Sequence, residues 1–258
     1  MDRKKPVILI SNDDGYMAPG LQSLIRMLGT IGAKLLVCAP DGPRSGYSCA
    51  FSADRPLRLF KRSEMPDVEV WSCTGTPVDC VKLAIDRLLH GKMPDLVVGG
   101  INHGDNSTVN SHYSGTMGVA REGCMKYIPS IAFSSCYYNH DADLEPLGPY
   151  VRAIVNKVLA EGLPRGVCLN VNFPARQEFA GVKVCRMNFG QWVNEVVPGK
   201  HPAGYEYYWL VGSYRDDEPE ARDTDQWALR NGYVAITPTR LDITAYEMMD
   251  ELDSWFGK

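Results

Sequence analysis

The sequence lacks the motifs that mark several large protein classes. None of its eight cysteines belongs to a C-x-x-C pair, which leaves a thiolate zinc site with little support. No G-x-G-x-x-G turn follows the first predicted strand and no P-loop is present, which argues against other nucleotide-binding enzymes such as Rossmann oxidoreductases. No apolar run approaches the length of a membrane span, and we find no internal repeat or low-complexity tract.

The sequence also lacks an excess of positive charge. Its net charge is −4 at pH 7, so bulk electrostatics gives no reason to expect a nucleic acid polymer as a partner. A small phosphate ester is still compatible with this charge, because a bound metal would supply positive charge locally. Hydrophobic residues make up 45% of the 258 residues and charged residues 22%, as in an ordinary globular protein with a substantial core.

Two features predict a cytoplasmic protein without a membrane partner. Residues 1–6 lead directly into a predicted strand and contain no small-residue cleavage site. Several cysteines fall within apolar, strand-like runs, as expected of small buried hydrophobic residues in a reducing compartment.

The chain is organised around a strand, a polar turn and a helix near its start. Residues 7–10 are apolar and mostly β-branched, which predicts a buried strand, and Pro19 suits the first turn of a following helix. Asp13 and Asp14 stand where the strand should end. Two adjacent acids are costly unless a positive charge lies between them, so we expect a divalent cation here. Ordinary turn or capping chemistry is the alternative.

Two further strand ends carry oxygen donors. A strand at residues 34–38 leads into a loop that holds Ser45, and this loop is either a mobile surface segment or a ligand loop. A strand at residues 95–98 leads into a glycine-rich loop with Asn102 and Asn106. The carbonyl oxygen of Asn102 can bind a hard cation. Ligands of open parallel sheets bind beyond such strand ends.

A candidate anion site follows at residues 113–116, where a short helix should begin. The hydroxyls of Ser114 and Thr116, together with free backbone N–H groups, could bind phosphate, although simple capping of the helix explains them equally well. The similar helix start at Thr76 and Asp79 is explained by capping alone.

Strands and helices continue to alternate, which predicts a parallel sheet covered by helices. Residues 51–62 are expected to form strands leading away from this sheet. From residue 181 the character changes to an extended hairpin or arm whose aromatic run, residues 205–209, either stacks on a nucleobase or packs on another surface such as a second subunit. We predict a core at residues 1–180 and, at residues 181–258, an arm, a returning strand and a closing helix that complete the same domain.

Taken together, the motifs resemble the SurE survival-protein family of nucleotidases. The resemblance covers nearly the whole chain. Each motif is weak alone, but the complete set in this order is highly specific. The matching segments are residues 10–15 with 18–20, 39–41 with 44–46, 75–77 with 79–81, 100–102 with 104 and 106, 113–116, 169–172 with 174, 224–225 and 232–234.

The resemblance implies an α/β fold, a Rossmann-like three-layer sandwich with a mostly parallel central sheet and a C-terminal arm. It implies a phosphomonoesterase that hydrolyses nucleoside 5′- and 3′-monophosphates, and in some members short polyphosphate. One divalent cation per subunit (Mg, Mn or Ca) would be held by Asp13, Asp14, Ser45 and Asn102. Exchange of C-terminal arms would form a homodimer or a dimer of dimers.

We assign the remaining roles as hypotheses. Asp13, Asn106 and Ser114 are the candidate catalytic residues, and the candidate substrate-binding residues are Asn12, Asn106, Ser114, Gly115 and Thr116. The nucleophile is either water or the Asp13 carboxylate, which would form an aspartyl phosphate, and the sequence leaves both open. A binding module without activity is a further alternative, although an intact donor set argues against it.

The chain departs from the family pattern in two places. Residues 107–110 replace a segment that is often Leu-Gly followed by acids, which leaves the nucleotide preference open. Tyr246 stands where some relatives have a histidine, so no role for that histidine carries over.

Overall fold

A nine-stranded sheet forms the centre of the fold, in the spatial order β3-β4-β2-β1-β5-β6-β7-β13-β8. The computed structural model describes residues 5–257. The prediction that no targeting signal is present rests largely on residues 1–4 and therefore lies outside the described residues. The strands of this sheet are β1 (Val7–Ser11), β2 (Lys34–Pro40), β3 (Leu59–Met65), β4 (Val68–Cys73), β5 (Leu96–His103), β6 (Ser130–Ser135), β7 (Val167–Phe173), β8 (Gly181–Val184) and β13 (Tyr233–Arg240).

Six neighbouring strands, from β4 to β7, run parallel, so their carboxyl ends share one edge. The flanking strands β3 and β13 run antiparallel to β4 and β7. The predicted α/β class with a mostly parallel sheet is therefore confirmed. The prediction for residues 51–62 was wrong, because the structure forms one strand, β3, that pairs with β4 at the edge of the central sheet instead of leading away from it.

Helices cover both faces of the sheet, as three layers require. Alternate side chains of β1 show this directly: Ile8 and Ile10 pack with α1 and α4, whereas Leu9 packs with α2 and α3. The alternation follows from the two-residue period of a strand. The helices are α1 (Pro19–Leu28), α2 (Pro77–Leu83), α3 (Gly115–Met125), α4 (Gly148–Glu161), α5 (Asp225–Arg230) and α6 (Met249–Phe256).

The local signals at helix starts are largely confirmed. Pro19 occupies the first position of α1. At α2 the Thr76 hydroxyl accepts a hydrogen bond from the Asp79 N–H, while the Asp79 carboxylate accepts one from the Thr76 N–H, which completes a capping box.

The strand β5 extends further than the sequence predicts. It continues through two glycines to His103, with an irregular register against β6 after Gly99. A Cβ at Gly100 would lie 2.3 Å from the Phe133 carbonyl oxygen, so only glycine allows the two backbones to approach this closely. This approach places Asn102 at the sheet edge.

Some strands of the second half of the chain join the central sheet, and others form separate pairs outside it. The strands β8 and β13 complete the central sheet, whereas two antiparallel pairs, β9 (Gly190–Val193) with β12 (Ser213–Asp216) and β10 (Val196–Lys200) with β11 (Glu206–Leu210), form the arm. The boundary between residues 180 and 181 stays a prediction. Within residues 5–257, no helix has both the length and the hydrophobicity that a bilayer crossing requires.

Candidate active site

One open cleft of about 280 Å³ lies at the edge where the parallel strands end. Side chains from separate loops line it: Asp13 after β1, Ser45 after β2, Asn102 at the end of β5, and Ser114 at the start of α3. These residues are far apart in the sequence and meet because parallel strands bring their carboxyl ends together. Asn106 also lines the cleft, so five predicted site residues share one cavity.

Of the two adjacent acids, Asp13 and Asp14, Asp13 is the more deeply buried, with 4% of its surface exposed. Its Oδ1 accepts a hydrogen bond from the Thr116 hydroxyl, and the Gly115 N–H also favours the charged form. Burial nevertheless dominates and, with help from the neighbouring Asp14 charge, raises the pKa of Asp13 to about 6. A cation beside this carboxylate would oppose the shift.

Asp14 lies next to Asp13 and faces two histidines. Burial raises the pKa of Asp14, and the nearby His103 and His140 oppose that rise. Its Oδ2 is buried and has no hydrogen-bond partner among the described residues. Such an oxygen is costly to leave unsatisfied, so its carboxylate is suited to a further positive partner.

The Ser45 loop is fastened directly to the first strand end. The Arg44 N–H donates to the Asp13 carbonyl oxygen at 2.6 Å, and the Arg44 guanidinium bonds to Asp41 at 2.9 Å. These contacts hold the following hydroxyl of Ser45 at the cleft. The loop is therefore anchored at the predicted site, although Ser45 itself is exposed.

The nitrogen and the oxygen of the Asn102 side-chain amide have different roles. Its Nδ2 donates to the carbonyl oxygens of His103 at 3.3 Å and Gly104 at 2.7 Å. These bonds orient the side chain and use its donors, so Oδ1 is left as the end available to a ligand. A hard cation needs such an oxygen.

Asn106 is held by a network of buried amides. Its backbone N–H donates to Asn172 Oδ1, its carbonyl oxygen accepts from Asn170, and its Nδ2 donates to Ser134, all at 2.7–2.8 Å. Asn172 in turn donates to Asn170. The network fixes the position of Asn106 while one of its N–H groups and its Oδ1 stay free for substrate.

Ser114 caps α3 and also lines the cleft. Its Oγ accepts the Met117 N–H at 3.0 Å, which uses the hydroxyl as an acceptor and leaves its proton free to donate. The capping alternative is thus realised without removing Ser114 from the cleft.

Three predicted substrate-binding residues lie behind the cleft surface. Asn12 forms a reciprocal pair of bonds with Gly15, and the Thr116 hydroxyl is used on Asp13. A Cβ at Gly115 would come 2.7 Å from the Asp13 Cβ, so a glycine lets α3 approach that carboxylate. The structure therefore surrounds Asp13 with these residues; their direct binding of substrate stays a prediction.

Sequence reasoning missed an aromatic rim. Tyr113, Tyr138 and Trp192 line the cleft, and Trp192 comes from β9, the first strand of the arm. Its Nε1 donates to Asn110 Oδ1 at 2.8 Å, and the Tyr138 hydroxyl donates to Asp105 at 3.2 Å. An aromatic residue shortly after the change of character at residue 181 was the available signal, but the richer run at residues 205–209 obscured it.

The donor set fits a hard divalent cation. Two carboxylates, one hydroxyl and one amide carbonyl offer only oxygen, which Mg²⁺, Mn²⁺ and Ca²⁺ prefer. Within residues 5–257 no cluster of three or more His, Cys, Asp or Glu residues is arranged for a metal, so a zinc or other nitrogen–sulfur centre finds no counterpart there. The unpartnered Asp14 oxygen is the structural feature that points most directly to a cation.

Comparison with known proteins agrees with this geometry. The sequence model of the family described as "Survival protein SurE" matches residues 8–194. The chain belongs to the SurE family. The SurE match begins in β1 and ends just after Trp192, so it includes every residue that lines the cleft.

Individual SurE proteins match over nearly their full length. A protein named 5′-nucleotidase SurE from Phocaeicola vulgatus is 54% identical over 255 residues, covering 99% of this chain and 98% of that protein. One of the same name from Bacteroides thetaiotaomicron is 52% identical, with the same coverage. The crystal structure of the SurE protein from Aquifex aeolicus superposes with a TM-score of 0.82 at 37% identity, covering 97% of this chain and 99% of that one.

Proposed function

We propose that this protein is a divalent-metal-dependent nucleotidase that hydrolyses nucleoside 5′-monophosphates to a nucleoside and phosphate. The observation that carries the proposal is the meeting of Asp13, Ser45 and Asn102 in one cleft at the strand ends. The relatives from Phocaeicola vulgatus and Bacteroides thetaiotaomicron, both named 5′-nucleotidase SurE, support the choice of substrate class. We extend the proposal to 3′-monophosphates and short polyphosphate.

One cation per subunit would be held by Asp13, Asp14, Ser45 and Asn102, and Mg²⁺, Mn²⁺ and Ca²⁺ all suit this set. When bound, the cation neutralises charge on the phosphoryl oxygens and lowers the pKa of water. That chemistry is needed because a phosphate monoester dianion repels nucleophiles and hydrolyses extremely slowly by itself.

The residues around the cleft would position the phosphoryl group. Ser114 can donate its hydroxyl proton to a phosphoryl oxygen, and Asn106 can donate its free Nδ2–H. The start of α3 adds partial positive charge on the same side.

With water as the nucleophile, its oxygen forms a bond to phosphorus while the bond to the ester oxygen breaks, and the proton that the water loses ends on the leaving nucleoside oxygen. With Asp13 as the nucleophile, the first displacement gives an aspartyl phosphate and a nucleoside whose oxygen takes a proton from solvent, and a water then cleaves the aspartyl phosphate to release phosphate and restore Asp13.

The aromatic rim is suited to the nucleoside. Tyr113 and Tyr138 are 63% and 70% exposed at the cleft, so their rings are accessible to a ligand there. Aromatic faces stack on nucleobases of any type, and Trp192 adds a third such face. The rim therefore supports a nucleotide over a simple inorganic phosphate as the principal substrate.

We also propose that the protein forms a homodimer or a dimer of dimers through its arm. The hairpin β10–β11 and the helix α6 expose large apolar side chains that a lone subunit would leave in water, among them Trp209, Leu210, Trp255 and Phe256 at 59–83% exposure. Large apolar side chains exposed in such numbers are typical of interfaces between proteins.

A cytoplasmic location completes the proposal. All eight cysteines are free thiols and none is fully exposed, which suits a reducing compartment.

A phosphate-release assay tests the proposed function. The protein is treated with chelator, dialysed, and assayed on AMP, 3′-AMP and short polyphosphate with and without added Mg²⁺, Mn²⁺ or Ca²⁺. We expect release from AMP that depends on the added cation. Release that persists in full with chelator present, or no release with any cation, would refute the assignment.

A further inference from the structure

A second and larger cavity lies outside the candidate active site. Its volume is about 550 Å³, against about 280 Å³ for the cleft, and it opens beside the carboxyl end of β13. Asn170 and Thr237 contribute its floor; they are paired in register across β7 and β13, so both side chains stand on the same face of the sheet. Ser111 and His112, which follow the active-site loop, form one wall.

The charge around this cavity is of one sign. Three arginines line it, Arg121 from α3, Arg186 after β8 and Arg240 at the end of β13, and no aspartate or glutamate does. The guanidinium of Arg186 is neutralised by Glu218 and Asp223, each at 2.8 Å.

The other two arginines differ from Arg186 in their surroundings. Among residues 5–257, neither Arg121 nor Arg240 forms a salt bridge. Asp242, two residues beyond Arg240, accepts hydrogen bonds from the Tyr246 hydroxyl and the Thr244 N–H, and these bonds together with the Arg240 charge lower the pKa of Asp242. Two guanidinium groups that line one cavity and lack a salt bridge favour an anion in that cavity.

A buried polar atom independently points to a ligand. Thr237 lines the cavity with 6% of its surface exposed, and its Oγ1 has no hydrogen-bond partner among the described residues. The neighbouring Cys185 sulfur, whose thiol donates to the Lys183 carbonyl oxygen at 3.3 Å, can serve the Thr237 hydroxyl only as a weak acceptor. A phosphoryl oxygen supplied by a ligand would be a stronger acceptor for the same hydroxyl.

The rest of the lining is apolar. Met187, Pro238, Leu241 and Ile243 contribute most of it. A cavity of this size that combines apolar walls with a few converging polar groups has the character of a small-molecule site. We propose that it binds a small phosphorylated metabolite, with the phosphoryl group held by Arg121, Arg240 and Thr237 and the organic body against the apolar wall.

This site is distinct from the cleft but shares supports with it. Asn170 lines the cavity and donates to the Asn106 carbonyl oxygen at 2.8 Å, and Asn106 lines the cleft. The short helical segment Thr108–His112 likewise contributes Asn110 to the cleft and His112 to the cavity. A bound anion is thus well placed to influence the site where phosphate esters react.

Binding of AMP to the full-length protein in excess EDTA tests the proposal, because turnover is absent under these conditions. Equilibrium dialysis compares the wild type with the double variant Arg121→Gln/Arg240→Gln and with Thr237→Val. Ser114→Ala serves as the matched change in the cleft. Thermal melting confirms that each variant is folded, and Thr237→Val keeps the test valid should the double variant unfold.

We expect the double variant to weaken AMP binding at least about tenfold and Thr237→Val to weaken it about fivefold, since charged hydrogen bonds contribute more than neutral ones. Ser114→Ala can weaken the AMP bound at the cleft, where Ser114 is proposed to contact the phosphoryl group, and should leave the component that the cavity variants remove. No binding at millimolar AMP, or binding that is lost in Ser114→Ala and retained in the cavity variants, would overturn the proposal. A failure of the nucleotidase assignment would appear only in the phosphate-release assay.

Discussion

The edge of the sheet and the C-terminal arm differ in which kind of side chain they bury and which kind they expose. At the edge, polar side chains are buried and hold one another, as Asn106 does with Ser134 and Asn172. On the arm, large apolar side chains such as Trp209 and Leu210 face water at 64% and 83% exposure. Hydrogen bonds within the chain offset the burial of the polar groups at the edge, whereas the exposed apolar groups of the arm would be covered only by the proposed dimer.

The two regions also differ in their proposed dependence on a second subunit. The cleft is built from loops of a single chain, so its chemistry is available to each subunit. The proposed interface would place a partner on the arm, yet the first strand of the arm supplies Trp192 to the cleft. Variants in each region test how far the two regions are independent.

The largest effect is expected from Asp14→Asn. The change removes one of two carboxylates from the proposed cation site and retains its shape, so kcat on AMP should fall about 10³-fold or more. Asp86→Asn, at an exposed position outside the site, is the control and should leave kcat unchanged. Steady-state kinetics with saturating Mg²⁺ measures both, and full activity in Asp14→Asn would exclude it from the site.

Asp13→Asn should change stability in a pH-dependent manner when metal is chelated. The folded-state pKa of Asp13 is raised to about 6 from 3.8, so the folded protein binds more protons than the unfolded chain between these values. The free energy of unfolding of the wild type therefore falls as the pH rises from 4 to 6 and then levels, by about 3 kcal/mol in all.

The variant lacks this titration. In EDTA, Asp13→Asn should be more stable than the wild type at pH 8, with the difference shrinking as the pH falls to 4. Urea unfolding at both pH values measures it. Equal slopes against pH in the two proteins would show that Asp13 is not destabilised by burial.

On α6, whose exposed apolar side chains belong to the proposed interface, Trp255→Ala should weaken association of subunits without affecting the cleft. Removing a central aromatic side chain from an interface costs about 2 kcal/mol, which is a roughly 30-fold increase in the dissociation constant. Tyr127→Ala is the matched control, since Tyr127 is an exposed aromatic residue of the core at 63% against 59% for Trp255. Sedimentation velocity over a concentration series measures the dissociation constant of each protein. A wild type that is monomeric, or a Trp255→Ala variant that associates as tightly as the wild type, would contradict the proposed interface.

The smallest effect links the two regions. Trp192→Ala should raise KM for AMP about tenfold, because stacking on a base contributes on the order of 1–3 kcal/mol. Ribose 5-phosphate has no base, so its KM should not change. If KM rises equally for both substrates, Trp192 supports the structure of the cleft and does not bind the base.

The sequence predicts the edge of the sheet well because local signals there coincide with the fold. Buried β-branched runs end in polar residues, and parallel pairing then brings Asp13, Ser45 and Asn102 together. The capping box at Thr76 follows equally from short-range chemistry. These features depend on order along the chain and on strand direction, both of which a sequence records.

Other parts depend on contacts that a single sequence does not record. The strand β3 pairs with β4 because an antiparallel partner closes the sheet edge, and its exposed residues give no apolar pattern. Trp192 reaches the cleft through the bend of the arm and a bond to Asn110. The use of Thr116 on Asp13, instead of on substrate, is likewise a tertiary contact.

A crystal of the full-length protein soaked in Mn²⁺, with data collected at the manganese absorption edge, would locate the cation site. We expect one strong anomalous peak per subunit, coordinated by Asp13, Asp14, Ser45 and Asn102. A peak held by other residues, or the absence of a peak at this cleft, would contradict the proposed cation site.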